Sequence, residues 1–128
     1  MRRVLLASLC LVAAILPAAG MAAGAEHRTT SDLLIDAQEW SLWPSRTSVP
    51  AGTIDVELWN RGQDVHDTWI RRLDRNGQMV GPVLGKVRAT LAGAISHAVW
   101  HLKRGRYELF CSMPGHMKLG MHARLTVT

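Results

Sequence analysis

The most constraining feature of this sequence is a short segment near its C-terminus. It carries a thiol, an imidazole and a thioether, each separated from the next by four residues: Cys111, His116 and Met121. The residues before it, 106–111, and after it, 121–127, have the composition of β-strands, and Pro114-Gly115 predicts a turn between them. The chain therefore reverses direction within eleven residues, which brings the three side chains to one end of a β-structure.

The rest of the chain also predicts β-strands, because short apolar segments alternate with turn residues and almost nothing has a helical period. In residues 53–60 the apolar and polar side chains alternate, as in a strand buried on one face, and Asn60-Arg61-Gly62 ends that strand. Four further strands are predicted, at residues 33–40, 65–73, 94–102 and 106–111. The fold class is all-β, a sandwich of about seven or eight strands. Residues 79–92 predict no long element, because Gly81, Pro82 and Gly85 interrupt them.

The N-terminus has the pattern of a secretory signal. Two arginines precede thirteen apolar or small residues at 4–16, and Ala23-Gly24-Ala25 is the favoured of three cleavage sites. We expect a signal peptide at 1–25, one domain at 26–128, and export to the periplasm or beyond. The alternative is an uncleaved anchor, but Pro17 and nearby glycines interrupt the run that a membrane span of about 20 apolar residues needs. No later segment has that length, so the mature chain should have no membrane span.

Removal of residues 1–25 also removes Cys10 and leaves Cys111 as the one thiol of the exported chain. An internal disulfide is then excluded, and a lone exported thiol is paired between chains, reactive, or bound to a metal. The fifteen Lys and Arg residues exceed the ten Asp and Glu residues, but they are scattered through turns and strand ends. No dense basic run predicts nucleic-acid binding.

The chemistry of the C-terminal segment indicates copper. A thiolate, two imidazoles and a weak axial thioether form the trigonal site of blue-copper electron-transfer proteins, and His66 is the candidate for the second imidazole. The predicted metal ligands are His66, Cys111, His116 and Met121. Met113 and Met117 compete with Met121 for the axial position.

His97 and His101 suggest no second site, because the rise of a strand places them about 13 Å apart.

The segment from Tyr107 to Met121 resembles the copper loop of the cupredoxins; its sequence is YELFCSMPGHMKLGM. Its equal spacing is similar to that of rusticyanin-like and sulfocyanin-like members. Upstream, residues 49–62 followed by His66 and Asp67 resemble the strand, turn and first-histidine segment of the same family, so the resemblance covers about residues 45–128. It implies a Greek-key β-sandwich with one copper ion and one-electron transfer. The implied ligands are equatorial His66, Cys111 and His116 and axial Met121.

One residue departs from the family pattern. Many cupredoxins have Asn after the first ligand histidine, and this chain has Asp67. We expect Asp67 to accept backbone or hydroxyl hydrogen bonds, for instance from Ser112, and its charge to lower the reduction potential.

The sequence therefore predicts an exported, monomeric carrier of single electrons that is not an enzyme, since no further histidine cluster could bind dioxygen. Its redox partner protein should dock near His116, on an apolar rim formed by Met113, Pro114, Met117 and Leu119. One alternative is a periplasmic copper chaperone or resistance protein that uses the same ligands. A second is an enzyme accessory or a metal-free interaction module on this scaffold. For the five tryptophans, packing in the core is the default expectation.

Overall fold

The computed structural model describes residues 32–128. Over these residues the chain forms nine strands, of which eight have four residues or more, and this confirms the predicted all-β sandwich. The elements are β1 (Leu33–Gln38), β2 (Ser41–Pro44), β3 (Ser48–Val49), β4 (Gly52–Asn60), β5 (His66–Leu73), β6 (Met79–Thr90), β7 (Ile95–Leu102), β8 (Gly105–Phe110), the 3-10 helix η1 (Met117–Leu119) and β9 (His122–Val127). The predicted signal peptide and its cleavage site lie outside the described residues.

No helix within residues 32–128 has the length and apolar character that a membrane crossing requires.

The strands form two sheets whose inner faces enclose the core. One sheet has the order β2-β1-β4-β7, and the other has the order β3-β9-β8-β5-β6. In β4 the predicted alternation is confirmed, since Ile54, Val56 and Leu58 are buried and Thr53 and Asp55 are exposed. The side chains that fill the sandwich come from both sheets and include Leu33, Ile35, Ile70, Trp100, Leu109 and Leu125.

Strand direction brings three connections to one end of the sandwich. The antiparallel pair β5 and β8 has Trp69 opposite Phe110, so the start of β5 lies beside the end of β8. The parallel pair β1 and β4 has Ala37 opposite Asn60, so the turn after β1 lies beside the loop after β4. Two of these connections carry candidate ligands: His66 directly follows the loop after β4, and Cys111 and His116 lie in the loop after β8.

The prediction for residues 33–40 was wrong at its C-terminal end. β1 ends at Gln38, residues 39 and 40 form a turn, and β2 returns antiparallel with Gln38 opposite Ser41. β2 includes Pro44, and this is tolerated because β2 is the edge strand of its sheet.

The expectation that residues 79–92 form no long element was also wrong, since β6 is the longest of the described strands with twelve residues. β6 lies at the edge of the five-stranded sheet, where proline costs no ladder hydrogen bond. Its pairing with β5 shows register shifts, which absorb the irregular residues. Packing favours glycine at position 85, because a Cβ there would lie 2.6 Å from Cδ1 of Trp100.

The tryptophans follow the core expectation only in part. Trp100 is buried, whereas Trp40, Trp43 and Trp59 are exposed and Trp69 is half-buried. His97 and His101 are exposed strand residues, as expected.

Candidate metal centre

The structure brings three of the four predicted ligands together at one end of the sandwich. His66 begins β5, Cys111 follows β8, and His116 precedes η1. One potential ligand atom from each residue lies within 4.8 Å of the others. The two Nδ1 atoms of His66 and His116 are 3.3 Å apart, and Sγ of Cys111 lies 3.6 Å from Nδ1 of His116.

These distances fit a first-row transition metal. Bonds of about 2.0–2.1 Å to nitrogen and about 2.3 Å to sulfur, at angles of about 110–120°, separate two nitrogens by about 3.3–3.6 Å and nitrogen from sulfur by about 3.5–3.8 Å. Both measured distances fall within these ranges. Two of the three pairs of candidate ligand atoms thus have the separation expected of ligands on one ion, and all three atoms lie within 4.8 Å of one another.

Met121 lies beside these residues and is fully buried. Its amide donates to the carbonyl of His116 at 3.1 Å, and its carbonyl accepts from the amide of Cys111 at 3.0 Å. The backbone of Met121 is thus tied to both residues of the loop that carry candidate ligands. Met113 and Met117, the other candidates for the axial position, are partly exposed. The assignment of Met121 as the axial ligand stays a prediction.

Exposure differs among the three convergent residues. His66 and Cys111 are buried, whereas His116 is partly exposed. Burial raises the pKa of the Cys111 thiol above its ordinary value of 9.0. A metal that binds there must therefore displace the thiol proton.

Asp67 connects the two segments that carry the candidate ligands, as the sequence predicts. Its carboxylate is almost fully buried, accepts a hydrogen bond from the amide of Ser112 at 2.6 Å, and accepts a second from the Ser112 hydroxyl at 2.5 Å. Because Asp67 follows His66 and Ser112 follows Cys111, these two bonds fix the separation between the ligand-bearing backbones.

Two residues of the turn between β1 and β2 also contact the candidate ligands, and the sequence predicts neither of them as part of the site. Glu39 Oε1 accepts hydrogen bonds from the amides of Gln63 and Asp64, at 2.6 and 2.8 Å, and lies 3.2 Å from Nε2 of His66. The amide of Asp64 is the largest cause that lowers the pKa of Glu39 to about 2.

The second residue of this turn, Trp40, packs edge-on against His116 with ring centroids 4.9 Å apart. The Trp40 carbonyl lies only 3.2 Å from where a Cβ on Gly120 would be, and Gly120 has a φ of 114° that favours glycine. Residue 39 was predicted to lie inside a strand, and no local pattern marks it or residue 40 as part of the site.

Comparison with known proteins gives structural matches only. No family model and no curated protein matches the sequence. Among solved structures, the chain is similar to a reduced auracyanin from Roseiflexus castenholzii, with a TM-score of 0.61 and 18% identity over 74% of this chain and 94% of that one. It is also similar to auracyanin A, a "blue" copper protein from Chloroflexus aurantiacus, with a TM-score of 0.56 and 14% identity over 74% and 99% of the two chains.

Rusticyanin from Thiobacillus ferrooxidans is a third match, with a TM-score of 0.56 and 20% identity over 74% of this chain and 76% of that one. Auracyanin and rusticyanin are cupredoxins. At these identities the matches establish the fold, so the chain has the cupredoxin fold.

Proposed function

We propose that this chain is a type 1 copper protein that carries single electrons between redox partners and transforms no substrate. The observation that carries the proposal is the convergence of the Nδ1 atoms of two imidazoles and the sulfur of a thiol at metal-binding distances. His66, Cys111 and His116 would hold the copper in its equatorial plane, and the buried Met121 would supply the weak axial thioether. The auracyanin A match supports this, since that protein is a blue copper protein.

Copper bound there supplies a one-electron couple between Cu(II) and Cu(I). The contribution of the protein is to keep the ligands in place while the charge of the site changes. His66 starts a strand, the Cys111 amide is bonded to Met121, and Asp67 ties the two segments together. Ligands fixed in this way rearrange little on reduction, and a small rearrangement favours fast electron transfer.

The partner protein, we propose, docks on the surface around His116, the one partly exposed imidazole of the three convergent residues. Next to it the copper loop forms an open pocket of about 260 Å³ that is lined by Met113, Pro114 and Met117 among others. The side chain of Leu119 on the same loop is 57% exposed. An apolar rim of this kind excludes water and leaves few charges to desolvate, which suits brief contacts between redox proteins.

The proposal includes export. The sequence pattern at residues 1–25 supports a signal peptide, with the cupredoxin domain at 26–128 in the periplasm or outside the cell. The mature protein would act as a monomer. N-terminal sequencing of the secreted protein tests the boundary after Ala25, and a start at residue 1 would contradict it.

The direct test is to load the protein with Cu(II) and to record its visible absorption and paramagnetic resonance. An intense thiolate-to-copper band that bleaches reversibly with a reductant is expected. Cys111→Ser should abolish this band, whereas His97→Asn, a change at an exposed strand position away from the site, should leave it unchanged. Absence of the band in the wild-type protein, or release of copper on reduction, would contradict the carrier function.

One observation favours a second candidate, a copper-handling protein. Met113 and Met117 line the pocket beside Cys111, and thioethers are soft ligands that suit Cu(I). Burial of His66 and Cys111 opposes this role, because transfer of the metal needs exchangeable ligands. Competition with a Cu(I) chelator distinguishes the two. A carrier keeps its copper. A handling protein releases copper to the chelator, and Met113→Leu or Met117→Leu should slow that release.

A further inference from the structure

Glu39 is a charged side chain outside the ligand-bearing segments that nevertheless reaches a candidate ligand. Its Oε1 lies 3.2 Å from Nε2 of His66, on the side of the imidazole opposite to the metal site. The same oxygen accepts the amides of Gln63 and Asp64, in the loop that leads into His66. A single carboxylate therefore holds both the His66 ring and the backbone that delivers it.

The geometry around His66 separates the roles of its two nitrogens. Nδ1 faces Nδ1 of His116, and Nε2 faces the carboxylate of Glu39. A carboxylate is only an acceptor when ionised, so the proton of the neutral imidazole belongs on Nε2. Nδ1 then carries the lone pair that a metal requires. A carboxylate that accepts from a ligating imidazole is a recurrent way to fix the tautomer and to increase the ligand's basicity.

The turn that carries Glu39 is held against the site from the other side as well. Trp40, the next residue, contacts the ring of His116, and its carbonyl lies against Gly120. A Cβ on Gly62 would collide with the Glu39 carboxylate, so Gly62 leaves the space in which that group sits. The carboxylate is thus fixed relative to both imidazoles and is not a freely rotating surface charge.

We propose that Glu39 is a positioning residue for the metal centre, which fixes the Nε2-protonated tautomer of His66 and stabilises the oxidised site over the reduced one. This inference rests on the proposed copper function. The carboxylate adds a negative charge close to the metal, and a negative charge favours Cu(II) over Cu(I). The side chain is 28% exposed, so solvent screens part of this effect.

The first experiment compares Glu39→Ala and Glu39→Gln with Glu57→Gln as the matched control. Glu57 also lies near a histidine, at 3.8 Å from the exposed His97, but contacts none of the candidate ligands. Loss of a residue that orients a metal ligand typically weakens metal binding about 10–100-fold. We expect the affinity for Cu(II) to fall by this factor in Glu39→Ala. If Cu(I) affinity is unchanged, each tenfold loss raises the reduction potential by about 59 mV. Glu39→Gln should raise the potential by less. Glu57→Gln should leave the Cu(II) affinity within about twofold of wild type, which corresponds to a potential within about 18 mV.

The second experiment uses the metal-free protein and therefore does not depend on the copper function. The ¹⁵N shifts of His66 report which ring nitrogen is protonated. Wild type should show the proton on Nε2, Glu39→Gln should retain it because the amide oxygen still accepts, and Glu39→Ala should show a mixture. Circular dichroism of each variant checks that the sandwich is folded.

The two failures can be told apart. A wild-type protein without the blue band would contradict the proposed function, while the tautomer measurement would still report on Glu39. A blue wild-type protein with equal potentials for Glu39→Gln and Glu57→Gln, or with the wild-type tautomer in Glu39→Ala, would overturn this inference alone.

Discussion

Replacement of Asp67 with alanine tests whether one buried carboxylate holds the two ligand-bearing segments together. The Asp67 side chain is 3% exposed, and its oxygens accept from the amide and the hydroxyl of Ser112 at 2.6 and 2.5 Å. Both bonds join strand β5 to the loop after β8, two regions 45 residues apart in sequence. Alanine removes both, and among residues 32–128 Asp67 is the one side chain that hydrogen-bonds to Ser112.

The expected cost follows from these two bonds. A hydrogen bond to a charged group contributes about 1.5–3 kcal/mol to stability, so the pair contributes about 3–6 kcal/mol. Ser112 is only half-buried, and water can reach the donors once the carboxylate is gone. We therefore expect the lower end, a loss of about 3 kcal/mol in the free energy of unfolding. With a urea dependence of about 1–3 kcal/mol per M, the midpoint should fall by about 1–3 M.

Urea unfolding of the metal-free protein measures this loss without a contribution from copper binding. Asp67→Asn keeps the shape and an acceptor for the Ser112 amide, and should cost about 1 kcal/mol. Asp36→Ala is the matched control, because Asp36 pairs at 2.9 Å with Arg61, whose side chain is 51% exposed, and such surface pairs contribute at most about 1 kcal/mol. If Asp67→Ala destabilises the protein no more than Asp36→Ala does, the reasoning that the two bonds fix the site is refuted.

Three shorter predictions concern the ligands and the core. Met121→Leu should keep the blue band and raise the reduction potential, whereas Met117→Leu should leave the potential unchanged; cyclic voltammetry checks both, and the opposite pattern would make Met117 the axial ligand. Because burial raises the pKa of the Cys111 thiol, copper uptake should release a proton and weaken as the pH falls, which titration calorimetry in buffers of different ionisation enthalpy measures. Gly85→Ala should cost about 1–3 kcal/mol in thermal unfolding, since its Cβ would meet the Trp100 ring, and should leave the visible spectrum unchanged.

The part of the site that could be predicted from the sequence is the part that lies within one segment. Cys111, His116 and Met121 share a loop, so spacing alone places them together. The backbone of Met121 is hydrogen-bonded to both Cys111 and His116. His66 required the resemblance of its flanking strand and turn to a known family. The bonds between Asp67 and Ser112 could be anticipated because those residues follow two predicted ligands.

The error in the prediction for residues 79–92 has a physical cause. Gly81, Pro82 and Gly85 predict a break there, but β6 lies at a sheet edge, where a missing donor costs little. Whether a strand lies at an edge depends on the complete sheet and not on its own residues. The same holds for the tryptophans, because β4 directs Trp59 outward and β7 directs Trp100 inward, and the face that a strand residue occupies is set by register.

Glu39 and Trp40 could not be predicted, because their place at the site depends on a pairing between distant strands. β1 runs parallel to β4, with Ala37 opposite Asn60, and this parallel pairing brings the turn after β1 beside the amides of Gln63 and Asp64. A parallel partner cannot be read from a short turn, since parallel strands are joined by a connection of about a dozen residues or more, which here contains β2 and β3. The loop candidates Cys111, His116 and Met121 are thus placed together by local sequence, whereas Glu39 and Trp40 reach the two imidazoles through topology. Proteins that share these four candidate ligands can consequently differ in reduction potential through residues that no ligand motif contains.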